Sequence, residues 1–102
     1  MIRLHRTVDV QEGKLFEAIA FAKEMAAYFN KKFDAKVETL LNVGGKVNQI
    51  VISNEYESLG AMEDLGARAL QDTEVLEMLK KWDDSGLFVG SSMVNQYFKS
   101  VD

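Results

Sequence analysis

The chain has 102 residues, 47% of them hydrophobic and 27% charged, with a formal net charge of -4; that balance fits one soluble domain and argues against nucleic acid or an anionic membrane as a partner. It contains no cysteine and one histidine, which excludes disulfides, thiolate chemistry and, within one subunit, any Cys-based or His-rich metal site. No apolar run approaches the roughly 18 residues that cross a bilayer, and no secretory apolar region opens the chain, so the expected compartment is the cytoplasm.

Met1 to Val10 alternates, with Ile2, Leu4, Arg6 and Val8 on one face and Arg3, His5, Thr7 and Asp9 on the other, and so reads as a strand. Gln11-Glu12-Gly13 turns into a helix over Lys14 to Phe33, whose apolar stripe is Leu15, Ile19, Ala22, Ala26, Phe29 and Phe33. Phe21, Met25 and Tyr28 lie well round that cylinder. Two readings of them stand open: packing beneath a neighbouring segment, or a surface for another protein. Two strands follow, Lys36 to Val43 and Gln49 to Tyr56, folded back by Gly44-Gly45-Lys46. A phosphate loop would feed a helix, whereas a strand follows here, so this glycine pair marks a hairpin.

Ser58 is an N-cap for a helix over Leu59 to Leu70 with Met62, Leu65 and Ala69 inward, and Asp72 can cap a further segment, Thr73 to Trp82. Val75, Leu76, Leu79 and Trp82 are its apolar residues, and the two segments form one broken helix or two that meet near Gln71. Asp83-Asp84-Ser85-Gly86 is a turn, and Leu87 to Phe98 is the last strand, with a bulge at Gly90-Ser91-Ser92.

The order β-α-β-β-α-β, with right-handed crossovers, places both helices on one face of a four-stranded antiparallel sheet and the first and third strands at its centre. This is a ferredoxin-like α+β fold, with residues 1–102 as its single domain. The uncovered face carries Leu40 and Val51 and therefore wants a partner, most simply a second copy. His5, with Arg3 on its own strand and Ser53 and Glu55 on the adjoining one, falls on that face. It is read as an interface residue, with a general base as the other reading.

Arg6 is the unusual residue, because parity places its guanidinium on the helix-covered face with Ile2, Leu4 and Val8. Asn54 and Tyr56 share the parity of Ile50 and Ile52, so the three would line a mixed polar and aromatic cleft, with Trp82 as a candidate wall. The structural alternative has Arg6 snorkelling to the edge or pairing with Glu63 or Asp64, and Trp82 in plain core. The remaining carboxylates sit where solvated charge is expected, and no metal-ligand spacing or Ser-His-Asp set is present.

A ferredoxin-like chain of this size with a half-apolar open face resembles the dimeric α/β-barrel superfamily, and within it NIPSNAP-like proteins. Arg6 and Gly13 match that family's first strand and helix start, with Val8 in the place of its Tyr. In Glu55-Tyr56-Glu57-Ser58-Leu59 the Tyr of the third strand is kept, while Asn54 replaces an aromatic. Asp72 and Trp82 stand for the acidic residue and Trp that close the second helix, at longer spacing. The resemblance implies a homodimer with sheets packed face to face. Relatives in the superfamily include cofactor-less monooxygenases, haem-degrading enzymes, dehydratases and sensors. The expectation is binding of a small aromatic or anionic organic molecule without a cofactor, in an oxygenase-like enzyme or in a non-enzymatic interaction or sensing domain.

Overall fold

The computed structural model describes residues 1–101. Its elements are β1 (Ile2–Val10), α1 (Leu15–Phe33), β2 (Val37–Leu41), β3 (Gln49–Tyr56), α2 (Leu59–Ala69), α3 (Thr73–Asp84) and β4 (Phe88–Lys99). The sheet runs β2-β3-β1-β4, with every neighbouring pair antiparallel. This is the ferredoxin-like order expected from the alternation, with the second helical segment resolved into α2 and α3.

The core lies where α1 crosses the central strands. Val8 and Ile50, paired across β1 and β3, are fully covered, and each side chain stabilises the fold by about 2 kcal/mol through burial. The deepest residues of α1 are Ala18, Ala22 and Ala26, one per turn on a single line. That ridge of small side chains brings the helix down onto the strands. The larger members of the expected stripe, Leu15, Ile19, Phe29 and Phe33, flank it and are only half-buried. The helix closes at Asp34 in the left-handed region at φ 53°, which a short polar residue tolerates better than a branched one.

The hairpin is wider than its glycines implied. Strand β2 ends at Leu41, and residues 42–48 form the connection, with Val43 wholly exposed. Asn42 takes over from the ladder: its Nδ2 donates to Lys46 O at 2.9 Å and to Gln49 Oε1 at 2.8 Å. The Lys46 ammonium is held by Asp9 on β1. In β4, residues 90–93 bulge out opposite Val8, and Ser92 Oγ fills the gap by accepting from Asp9 N at 2.8 Å.

Both proposed caps are present: Ser58 Oγ accepts from Ala61 N, and Asp72 Oδ1 from Val75 N, each at 3.1 Å. Asp72 also ties the α2–α3 junction to α1, because Tyr28 Oη donates to both of its carboxylate oxygens at 2.9 and 3.0 Å. Phe21 meets Trp82 and Phe88 edge-on at 5.9 and 6.1 Å. Tyr28 and Phe21 thus face the second helical layer. The reading of Phe21, Met25 and Tyr28 as a free protein-binding surface is set aside, since all three are part-buried. Leu76 and Leu79, by contrast, stay 47% and 39% exposed.

Desolvation, and then the Asp72 carboxylate it faces, push the Tyr28 phenol up to about 12. Burial would raise Asp72, but the Val75 amide, the Tyr28 hydroxyl and the Lys32 ammonium hold it below the ordinary carboxylate value. The signs follow. The Tyr28 proton stabilises the fold at all pH values below about 10, and that contribution is lost as pH rises through about 12. The Asp72 contribution is present above the ordinary carboxylate pKa and is lost as acid protonates the folded form. Tyr28→Phe should therefore lower the melting temperature at neutral pH and flatten its decline between pH 10 and 12. Calorimetry across that range checks both, and an undiminished alkaline decline in the variant would remove Tyr28 as its source.

Candidate functional site

The register of β1 assembles one polar group on the helix-covered face. Across to β3, Ile2 pairs with Tyr56, Leu4 with Asn54 and Arg6 with Ile52. Across to β4, Leu4 pairs with Tyr97 and Arg6 with Asn95. Cross-strand partners share a face, so Arg6, Asn95, Tyr97, Asn54 and Tyr56 project to the same side at this end of the sheet. Arg6 is half-buried, and its Nε donates to Asn95 Oδ1 at 2.9 Å. Among the described residues no carboxylate pairs with it: Asp64 is taken by Arg68 at 3.0 Å, and Glu63 is exposed. The guanidinium keeps its remaining donors and its charge uncompensated.

Asn54 is buried, and its Nδ2 donates to Tyr56 Oη at 2.8 Å. Desolvation raises the Tyr56 phenol above its ordinary pKa, more than the Asn54 hydrogen bond and the Arg6 charge lower it. Tyr56 is therefore a neutral hydroxyl whose oxygen is engaged by Asn54 and whose proton remains to be donated. Two donors, one cationic and one neutral, thus project from adjacent strands. Such a pair suits a carboxylate, a phenolate or an enolate.

Trp82 lies elsewhere. It stacks on Phe88 with centroids 3.6 Å apart and planes 3° from parallel. Phe88 pairs with Val10, at the opposite end of the sheet from Ile2 and Tyr56. The reason is its place in the chain: Trp82 sits in the last turn of α3, which ends at Asp84, four residues before β4 begins at Phe88. Asn95 and Tyr97 escaped the sequence reading, because the bulge before them breaks the alternation from which their face would be counted.

The other face holds the expected interface residues together. Arg3 and Glu55 form an ion pair, and His5 lies opposite Ser53 with its ring edge-on to Phe98 at 5.1 Å. Leu40 pairs with Val51, while Val94 and Phe98 add 54% and 46% exposed apolar side chains from β4.

Four antiparallel strands carrying helices in the order β-α-β-β-α-α-β define a ferredoxin-like fold. Within that class the structure is similar to an uncharacterised NIPSNAP domain protein from Burkholderia xenovorans, with a TM-score of 0.82 at 13% identity, covering 99% of this chain and 95% of that one. A protein provisionally assigned as an antibiotic biosynthesis monooxygenase from Deinococcus radiodurans gives 0.72 at 11% identity, over 100% and 94% of the two chains. A dimeric protein of unknown function and ferredoxin-like fold from Bacteroides fragilis gives 0.66 at 15% identity, over 97% and 96%. No family model and no curated protein sequence matches the chain. The resemblance to NIPSNAP-like proteins thus holds as a likeness of fold.

Because Trp82 belongs to the core around Phe88, Trp82→Ala should destabilise the fold by about 3 kcal/mol. It should leave any anion affinity at Arg6 unchanged. Urea unfolding paired with a binding titration separates the two, and lost affinity in a folded variant would return Trp82 to the site.

Proposed function

We propose that the chain binds a small, anionic or enolisable aromatic molecule over the polar group on its helix-covered face. The single observation that supports this is Arg6, a half-buried guanidinium with an amide partner and no carboxylate among the described residues. A charge so placed costs stability unless something compensates it, and a bound anion is the natural compensation. Arg6 takes the negative charge, Tyr56, four register positions along the strands, donates its free proton to a second acceptor of the same ligand, and Asn54 and Asn95 hold the two donors in place.

The enzymatic form of this reading is a cofactor-independent oxygenase. There the ionised substrate itself supplies electrons to oxygen, and the protein stabilises its oxyanion. The likeness in fold to a protein provisionally assigned as a monooxygenase lends this form support. Binding without turnover, as in a sensing domain, is the second form, and oxygen uptake with phenolic substrates distinguishes the two. The working unit is read as a homodimer through the open faces, on the strength of Leu40, Val51, Val94 and Phe98 and of a neighbour described as dimeric.

Arg6→Met keeps much of the side-chain volume and removes the charge. Its melting temperature should be unchanged or higher, while benzoate, followed by chemical shifts at Tyr56, Asn95 and Tyr97, should bind at least about tenfold more weakly. A large fall in stability, or benzoate affinity indifferent to the change, sinks the reading. Sedimentation at micromolar concentration should give about twice the 11.5 kDa chain mass, and a clean monomer would leave the open face unexplained.

A further inference from the structure

Asn54 presents a second problem in the same place. The residue is only 7% exposed, yet among the described residues its Oδ1 has no hydrogen-bond partner, while its Nδ2 is engaged by Tyr56. Turning the amide over would exchange the two atoms and still leave one of them unpaired. Buried polar atoms are almost always satisfied, and an aliphatic side chain would fill this position without the penalty. Thr39 Oγ1, on the neighbouring strand β2, is likewise buried and unpartnered, but a hydroxyl can rotate in search of an acceptor and an amide oxygen cannot.

Asn54 and Tyr56 also line a cavity of about 310 Å³. Its other walls come from the end of α1 and the connection to β2, with Phe33 and Ala35, and from α2, with Ala61 and Leu65. It therefore lies on the β2 side of Tyr56, whereas Arg6, Asn95 and Tyr97 lie on the β1–β4 side. The charges of its lining are mixed and lean acidic, Lys36 and Arg68 against Asp34, Glu55 and Glu57. Arg68 is already committed to Asp64 and to the Phe33 ring, 5.6 Å beneath its guanidinium carbon. Nothing here selects an anion. The lining mixes apolar Phe33, Ala35, Ala61 and Leu65 with these polar side chains, and with the Asn54 amide oriented toward Tyr56 its unsatisfied atom is an acceptor.

We propose that this cavity takes a neutral ring bearing a single O–H or N–H donor, which Asn54 Oδ1 receives. The inference extends the ligand reading above to the far side of Tyr56. Oδ1 is covered, so entry of the ring requires a side chain of the lining to give way, and Tyr56, half-buried and bonded to the same amide, is the neighbour the proposal assigns to that movement. The chemistry is distinct from that of Arg6: a neutral donor on one side of Tyr56, an oxyanion on the other.

Phenol and toluene are the probes, nearly equal in shape and differing in the hydroxyl. In ¹H–¹⁵N titrations of the full chain at neutral pH, phenol should shift the amides of Ala35, Asn54 and Leu65 and bind about tenfold more tightly than toluene. Asn54→Leu and Asn54→Ala should each bring the two affinities together. The alanine variant, which only removes atoms, carries the test if the leucine variant fails to fold. Arg6→Met should leave the phenol preference intact while losing benzoate, so failure of the anion reading and failure of this one are told apart. Equal affinities in the wild type, shifts confined to other surfaces, or a preference that survives both Asn54 variants would overturn the proposal.

Discussion

Eight cross-strand pairs, from Ile2 with Tyr56 to Asp9 with Gln49, join β1 to β3 at the centre of the sheet. Side chains alternate along a strand, so this one register decides what each face carries. It buries Val8 against Ile50 beneath the alanine ridge of α1, and it sets Arg6, Asn54 and Tyr56 on that same side. It also sets Arg3, His5 and Thr7 beside Glu55, Ser53 and Val51 on the other. A slip of one residue would move Val8 into solvent and Asp9 into the core. Burial of two fully covered aliphatic side chains, worth about 2 kcal/mol each, weighs directly against such a slip. The same burial holds an uncompensated guanidinium in place.

The parts of the molecule legible in the sequence are those with a strict local period. The alternation of β1 and β3 placed their residues on the correct faces, among them Arg6, His5, Asn54 and Tyr56. Ser58 and Asp72 declared themselves as caps because a short oxygen-bearing side chain before an apolar run has few other uses. Legibility failed where the period breaks. The bulge at residues 90–93 resets the count, which hid Asn95 and Tyr97 on one face and Val94 and Phe98 on the other. The ridge of α1 is legible only in part, with Ala22 and Ala26 in the expected stripe and Ala18 outside it, for a different reason. Hydrophobicity ranks Leu and Phe above Ala, but a helix lying close on a sheet needs its smallest side chains deepest. Trp82 could be placed only by knowing where α3 ends, and local sequence locates helix ends poorly.

Charge is distributed unequally between the faces, and the inequality bears on function. On the open face Arg3 is answered by Glu55 and Lys46 by Asp9, so the cations there are neutralised within the chain. Such pairs are worth little to stability when exposed, but they leave no excess charge to oppose the approach of a second copy. On the covered face Arg6 has only Asn95 among the described residues. An amide oxygen orients a guanidinium without cancelling its charge, and that is the arrangement a ligand site requires.

Fold alone assigns no chemistry, and the proteins similar in structure here are themselves described in different terms. On one face of the two central strands, from Arg6 in the middle of β1 to Tyr56 at the end of β3, three polar side chains are each left partly unsatisfied among the described residues: Arg6 in charge, Tyr56 in its proton and Asn54 in its carbonyl oxygen. Each deficit works against stability, and an apolar residue at any of the three places would remove it. Their signs differ, two donors and one acceptor, so a simple inorganic anion would meet only the first two. Asn54 is the hinge of the arrangement, since its amide nitrogen orients the Tyr56 hydroxyl for one side while its oxygen waits on the other.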